Sequence, residues 1–210
     1  MSDILNSIFE YGKNAPLSEW LGVIFGVLCV YFLIKGSVLT FVFGIIYIIP
    51  SFFVFWNTQL YGDFILHIFF LVLNIYGWYY WIYGKQENDK GVEITLSAIK
   101  PSLFIALITL VGIALFGFFL ENINYFFSQI KPSDVPYWDA TTTVLSVTGM
   151  WLTAKKKIDN WYYWLIVDIL STFLYIYKGI YFYAFLYLIY IGMAIAGYLA
   201  WKKSMNVQAA

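Results

Sequence analysis

Seven long stretches of the chain are almost entirely apolar, and short polar or glycine-bearing segments separate them. A helix that crosses a bilayer needs about 20 mostly apolar residues. Helices are favoured over strands because the runs are long and because every backbone polar group must find a partner inside hydrocarbon. The pattern therefore predicts seven transmembrane helices, at 20–35, 38–56, 63–83, 101–120, 138–154, 160–177 and 180–201.

The composition agrees with an all-α integral membrane protein. Hydrophobic residues make up 62% of the chain, charged residues 11%, and the mean hydropathy is +0.75. A soluble domain carries about 25% charged residues. The net charge is zero, which gives no indication of a nucleic-acid partner, and lipid is the expected surrounding. The single cysteine, Cys29, and the lack of metal-ligand or nucleotide motifs predict no metal and no cofactor.

Lysine placement predicts the orientation in a bacterial inner membrane. With seven spans, one side collects nine lysines and the other side three. Because basic residues are enriched in cytoplasmic loops, we expect a periplasmic N-terminus and a cytoplasmic C-terminus. The larger set is Lys35, Lys85, Lys90, Lys100, Lys155, Lys156, Lys157, Lys202 and Lys203, and the smaller set is Lys13, Lys131 and Lys178.

An internal repeat is visible when the third and seventh spans are compared at a constant offset of 120 positions. Gly77 then corresponds to Gly197, and Trp81 to Trp201. Chance is the alternative explanation in a chain so rich in Tyr and Leu. A genuine repeat predicts one membrane domain, 1–210, with a triple-helix repeat at 18–83, a linker helix at 101–120 and a second repeat at 138–203. Transporters with parallel repeats bind solute at the repeat interface.

Polar residues at membrane depth are costly and tend to mark function. In the third span, His67, Asn74 and Trp78 fall on one helical face. In the sixth, Trp161, Trp164 and Asp168 share a face. Thr142 belongs to a polar stripe in the fifth, with Asp139, Thr143 and Ser146.

Each of these residues has a structural alternative. His67 is also explained by packing against a neighbouring helix, Asn74 by a bridge between helices, Trp161 by an interfacial anchor, and Thr142 by close helix packing. Asp168 lies about two turns inside its span, where a carboxylate must pair, take up a proton or face water. Together the residues predict a site for a flat, cationic heteroaromatic solute. No nucleophile or metal spacing supports an enzyme.

At these residues the chain resembles the Pnu vitamin transporters. The resemblance rests on QLYGDFILHIFFLVLNIYGWYYW at 59–81 and on the stretch from PYWDATTTV to FLYLIY at 136–190. It implies a SWEET-like 3+1+3 arrangement of two three-helix bundles joined by a central helix, a homotrimer, and facilitated diffusion of a vitamin. It also implies that phosphorylation inside the cell traps the vitamin.

Three positions depart from the nicotinamide riboside branch of that family. Its members tend to carry an amide where His67 stands, and Asn where Asp168 and Tyr47 stand. These changes favour thiamine as substrate, because Asp168 can pair with a thiazolium and Tyr47 can stack on a ring. Nicotinamide riboside is the alternative, riboflavin a further one, and a non-transporting membrane binding or structural subunit is the alternative of another class.

Overall fold

A computed structural model describes residues 2–15, 17–57, 61–84, 92–128, 133–179 and 181–208. All nine regular elements in these ranges are helices, which confirms the all-α class. They are α1 (Ser2–Asn14), α2 (Leu17–Ile34), α3 (Leu39–Asn57), α4 (Tyr61–Tyr83), α5 (Ile99–Glu121), α6 (Ile123–Phe126), α7 (Pro136–Ala154), α8 (Asn160–Tyr177) and α9 (Tyr181–Gln208).

The seven predicted helices correspond to α2, α3, α4, α5, α7, α8 and α9. Their ends agree with the prediction to within three residues, except that α9 continues to Gln208. The short helices α1 and α6 were not predicted. Alternating apolar runs and polar turns are sufficient to place long helices, whereas α1 and α6 carry no continuous apolar run that would reveal them.

Two of the described helices are long and apolar enough to cross a membrane by length and composition alone: α5 and Tyr181–Val207 of α9. Shorter apolar stretches lie in α2 and α3, at Trp20–Ile34 and Leu39–Ile49. Only 11% of the most apolar window of α5 is buried inside the protein. Large side chains such as Leu103 and Leu110 therefore project outward, as expected of a helix solvated by lipid.

The long helices pack as two groups. The first helix triplet comprises α2, α3 and α4, and the second comprises α7, α8 and α9, with α5 packed against α7. The triplets meet along two seams, one between α4 and α7 and the other between α2 and α9. A central space between the triplets is thereby bounded by six helices.

The turns that follow α2 and α7 are built alike. Gly36 and Lys156, 120 positions apart, both have left-handed backbone, with φ of 62° and 54°. In each turn the N–H of the following residue bonds back five positions, to Phe32 O at 3.0 Å and to Leu152 O at 2.9 Å. This is the Schellman arrangement that commonly ends a helix. The same offset relates the third helix of each triplet, since Gly77 packs on the ring of Phe41 and Gly197 on that of Trp161.

One end of the molecule, which we call the lysine-rich end, combines both turns, segment 92–98 and the adjacent parts of α4 and α9. Thr95 and Lys157 form an isolated bridge there, and Trp201 Nε1 donates to Leu33 O at 2.9 Å. Its described lysines are Lys35, Lys100, Lys155, Lys156, Lys157, Lys202 and Lys203. Lys13 lies in the last turn of α1 and Lys178 follows α8, both at the opposite end, and Lys85, Lys90 and Lys131 lie outside the described residues.

Candidate functional site

A cavity of about 220 Å³ lies between the two helix triplets. Helices α2, α3, α4, α7, α8 and α9 all contribute to its wall. Five of the residues predicted to bind substrate line it: Tyr47, Asn74, Trp161, Trp164 and Asp168. Distant parts of the sequence thus meet at the interface of the triplets.

The residues in the wall of the cavity recur at an offset of 120 positions. Most of its described lining residues form eight pairs whose members stand 120 positions apart. The pairs are Gly26 with Ser146, Val30 with Met150, Leu33 with Thr153, Gly44 with Trp164, Tyr47 with Val167, Ile48 with Asp168, Phe70 with Tyr190 and Asn74 with Ala194. The two members of several pairs differ in chemical type. A polar or aromatic residue in one triplet corresponds to an aliphatic residue or glycine in the other. The lining positions of the two triplets therefore correspond, while the polar groups at them do not.

Asp168 provides the negative charge of the cavity. Its side chain is only 6% exposed. Among the described residues, no hydrogen-bond donor or cation contacts its carboxylate, and Tyr187 and Tyr190 line the same cavity. A buried carboxylate without a cation is unfavourable in the empty protein and favours a positively charged ligand.

Two indoles approach the cavity from the same face of α8. Trp164 Nε1 donates to Thr153 Oγ1 at 3.1 Å, and its ring lies against Gly149, so the indole is fixed in one orientation. Trp161 is 2% exposed, and no acceptor among the described residues reaches its Nε1. A buried N–H in a cavity wall without an acceptor costs about 1–3 kcal/mol, which a ligand acceptor would offset.

The first triplet contributes an amide and a phenol. Asn74 Nδ2 donates to Phe70 O at 2.8 Å in its own helix, and its amide packs directly on Gly44. Any side chain at position 44 would displace that amide. Tyr47 is 38% exposed, and its ring lies 6.1 Å from that of His67.

Three predicted residues do not line the cavity. His67 is buried behind Tyr47, with its ring 5.9 Å from Phe70. Trp78 is 39% exposed and is not among the described residues that line the cavity. Thr142 Oγ1 donates within its own helix, to Trp138 O at 3.3 Å and to Asp139 O at 3.1 Å. The residues predicted on one face of α4 do not all reach the cavity. Helix α4 packs against both α3 and α7, so only part of that face points to the centre.

Sequence reasoning missed Tyr187 and Tyr190, which line the cavity from α9. Neither stands out in a helix with so many aromatic residues. The offset of 120 positions could have identified them, because it aligns Tyr187 with His67 and Tyr190 with Phe70. The Tyr190 hydroxyl reaches Gly26 across the α2–α9 seam, so it spans the two triplets.

Four aromatic rings close the cavity towards the lysine-rich end. We call Phe41, Trp81, Trp201 and Trp161 the aromatic plug. Consecutive ring centroids are 4.9 Å, 6.1 Å and 5.6 Å apart. All four side chains are buried, at 1% to 5% exposure. The plug is continuous with the hydrophobic core, which also contains Leu33, Met150 and Ala194 of the cavity wall.

A polar and aromatic cavity between two similar groups of apolar helices defines the class of membrane solute transporters. Comparison with known proteins identifies the family. A family model described as nicotinamide mononucleotide transporter matches residues 16–203. The chain therefore belongs to the Pnu vitamin transporter family.

Curated relatives are similar over most of the chain. The nicotinamide riboside transporter PnuC of Escherichia coli strain K12 is 27% identical, over 92% of this chain and 88% of that protein. The protein of the same name from Haemophilus influenzae is 26% identical, over 95% and 86%. A crystal structure of the vitamin B3 transporter PnuC aligns with a TM-score of 0.68 at 20% identity, covering 97% of this chain and 88% of that one. The structural likeness supports the same fold.

Proposed function

We propose that this protein carries nicotinamide riboside, or a closely similar pyridine nucleoside, across a bacterial inner membrane. The observation that carries the proposal is the cavity in which the unpaired carboxylate of Asp168 lies beside the indole of Trp164. A pyridinium ring is flat and cationic, so it suits an aromatic face and a counter-charge. The names of the relatives support this solute over thiamine, which the sequence alone favoured.

The proposed architecture is a 3+1+3 repeat, SWEET-like as the family resemblance implies. The first triplet repeat covers 18–83, α5 is the linker helix at 101–120, and the second repeat covers 138–203. The paired turns after α2 and α7, and the paired residues of the cavity wall, support it. Both repeats then point the same way, with the solute at their interface. Assembly as a homotrimer belongs to the same proposal and rests on the resemblance.

The lysine-rich end is proposed to face the cytoplasm, which leaves the N-terminus in the periplasm. The grouping of seven described lysines at that end supports the orientation. Transport is proposed to be facilitated diffusion, with phosphorylation in the cytoplasm trapping the solute. Asp168 and the tyrosines around it then serve binding and carry no coupling ion.

Thiamine is the second candidate, and Asp168 is the observation that favours it. A thiazolium is also a cation, and Tyr47 supplies a further aromatic surface in the cavity. Trp161 and Trp164 line the cavity, so quenching of tryptophan fluorescence reports on its occupation. Titration of the purified protein with nicotinamide riboside, thiamine and riboflavin should give the tightest binding with nicotinamide riboside. Tighter binding of thiamine would reverse the order of the two candidates.

Uptake into proteoliposomes tests transport itself. Labelled nicotinamide riboside should enter saturably without ATP, and a proton ionophore should leave the rate unchanged. An ionophore-sensitive rate would argue for proton coupling instead of facilitated diffusion. Binding without flux would favour the alternative of a membrane binding or structural subunit.

A further inference from the structure

The aromatic plug lies between two seams that the repeat makes equivalent. At the α4–α7 seam, Trp81 Nε1 donates to Thr153 O and to Ala154 O, both at 3.2 Å. At the α2–α9 seam, Trp201 Nε1 donates to Leu33 O at 2.9 Å. Each indole thus holds the end of a helix in the other triplet. Solute that leaves the cavity through the lysine-rich end must separate at least one of these pairs.

The α4–α7 seam has further contacts of its own. Lys155 Nζ, just after α7, lies 4.9 Å and 4.6 Å from the ring centroids of Tyr76 and Tyr80 in α4, and it hydrogen-bonds the Tyr76 hydroxyl. Lys156 Nζ lies 4.5 Å from the Trp81 ring. Cation–π contacts of partly buried lysines add to the free energy needed to part the helices.

The α2–α9 seam lacks these additions. The positions equivalent to Tyr76 and Tyr80 are occupied by Ala196 and Ala200. Lys35, the equivalent of Lys155, lies 5.7 Å from the ring of Tyr31 in its own helix. Among the described residues, the bond from Trp201 to Leu33 O is the hydrogen bond that joins α2 to α9 at this end.

From this difference in contacts between the two seams we infer that the lysine-rich end opens at the α2–α9 seam while the α4–α7 seam stays closed. The hydrogen bond from Trp201 to Leu33 O holds the α2–α9 seam together in the closed state. The inference rests on the proposed transport function, to which it adds the route of the solute. Two seams with corresponding positions but unequal contacts open at the weaker one first, since the population of an open state falls exponentially with the free energy of opening. Solute then passes between the ends of α2 and α9, beside Lys35 and Lys202.

Cys29 is a built-in reporter of opening. It is the single cysteine of the chain, and it lines the cavity above the plug. A charged, membrane-impermeant methanethiosulfonate reagent added at the lysine-rich side reaches Cys29 only when this end opens. The labelling rate therefore follows the open population and requires no substrate, so it stays informative even if the proposed solute is wrong.

The test compares Trp201→Phe with its matched control, Trp81→Phe. Each change keeps an aromatic ring and removes one indole donor. Of the three acceptor carbonyls, Leu33 O and Thr153 O also accept a backbone N–H, from Gly36 and Lys156 respectively. We expect Trp201→Phe to label Cys29 about 3- to 10-fold faster than the unmodified protein, the effect of one hydrogen bond. Trp81→Phe should label within about twofold of the unmodified rate, and Cys29→Ser should not label.

A second variant covers the case in which Trp201→Phe does not fold. Ala196→Tyr with Ala200→Tyr places rings around Lys35 as Tyr76 and Tyr80 surround Lys155, on positions with room for them. It should slow both labelling and transport several-fold. Equal acceleration by Trp81→Phe and Trp201→Phe would overturn the inference. So would unchanged rates in all variants, or a cysteine that labels only after denaturation.

Discussion

Asp168 combines a charge with almost complete burial, and its carboxylate meets no cation among the described residues. The charge is therefore unfavourable while the cavity is empty and becomes favourable when a cation binds. The lining residue 120 positions earlier is the apolar Ile48, so the carboxylate makes the two sides of the cavity different in polarity. A bound cation is then attracted to the second triplet, which fixes the direction in which an elongated solute lies.

Asp168→Asn should separate the effect of charge from the effect of shape. We expect it to weaken binding of oxidised nicotinamide riboside by about 1–3 kcal/mol, because an interaction with a full charge becomes a neutral one. The neutral dihydro form of the same nucleoside provides the control, since its size is nearly the same and its affinity should change little. The ratio of the two affinities, from fluorescence quenching, measures the charge effect. A constant ratio would remove Asp168 from the site.

Lys156 adopts a left-handed backbone conformation that is unfavourable for a residue with a side chain. It has φ of 54°, whereas Gly36, 120 positions earlier, fills the corresponding turn after α2. Burial beside the Trp81 ring lowers its pKa, because desolvation disfavours the ammonium. The contact with Trp81 offers a reason to keep a lysine where the backbone favours glycine.

Backbone strain at position 156 can be measured with two substitutions that both remove the ammonium. Lys156→Gly should be more stable than Lys156→Ala by about 1 kcal/mol, because only glycine adopts left-handed backbone without a steric penalty. Thermal unfolding in detergent gives the comparison. If the two variants unfold together, the turn relaxes and stores no strain at this residue.

Close approach between neighbouring helices depends on glycine at a few positions. In α9, a side chain at Gly197 would collide with the buried ring of Trp161, whereas one at Gly192 would meet no atom within 4 Å. The same helix therefore contains a glycine required by packing and one that is not.

Alanine substitutions at these two positions should have opposite effects on stability. We expect Gly197→Ala to lower the free energy of unfolding by about 1–3 kcal/mol through overpacking of the plug. Gly192→Ala should raise it by up to about 1 kcal/mol, because alanine favours the helix. Thermal or denaturant unfolding tests both. A Gly197→Ala variant as stable as the unmodified protein would mean that α9 shifts easily against α8, which would contradict a rigid plug.

Across the whole molecule, the sequence best predicted those features of the site that depend on residue spacing within one helix. The face shared by Trp161, Trp164 and Asp168 follows from helical spacing and was predicted correctly as a face. Tyr187 and Tyr190 were missed because α9 has aromatic residues on every side, and only packing selects the ones that face the cavity. Trp78 was predicted on the same stripe as Asn74 but is not among the described residues that line the cavity, since spacing does not reveal which neighbour covers a stripe.

The orientation of the whole molecule yields the last prediction. In a Cys29→Ser background, Lys178→Cys follows α8 at the end opposite the lysine-rich end, and Lys203→Cys lies near the end of α9. An impermeant thiol reagent added to intact cells should label Lys178→Cys and spare Lys203→Cys, and inverted vesicles should reverse the pattern. The physical reason is that lysine-rich segments are retained in the cytoplasm during insertion. The opposite pattern would invert the orientation and make the α2–α9 seam the entrance from the periplasm.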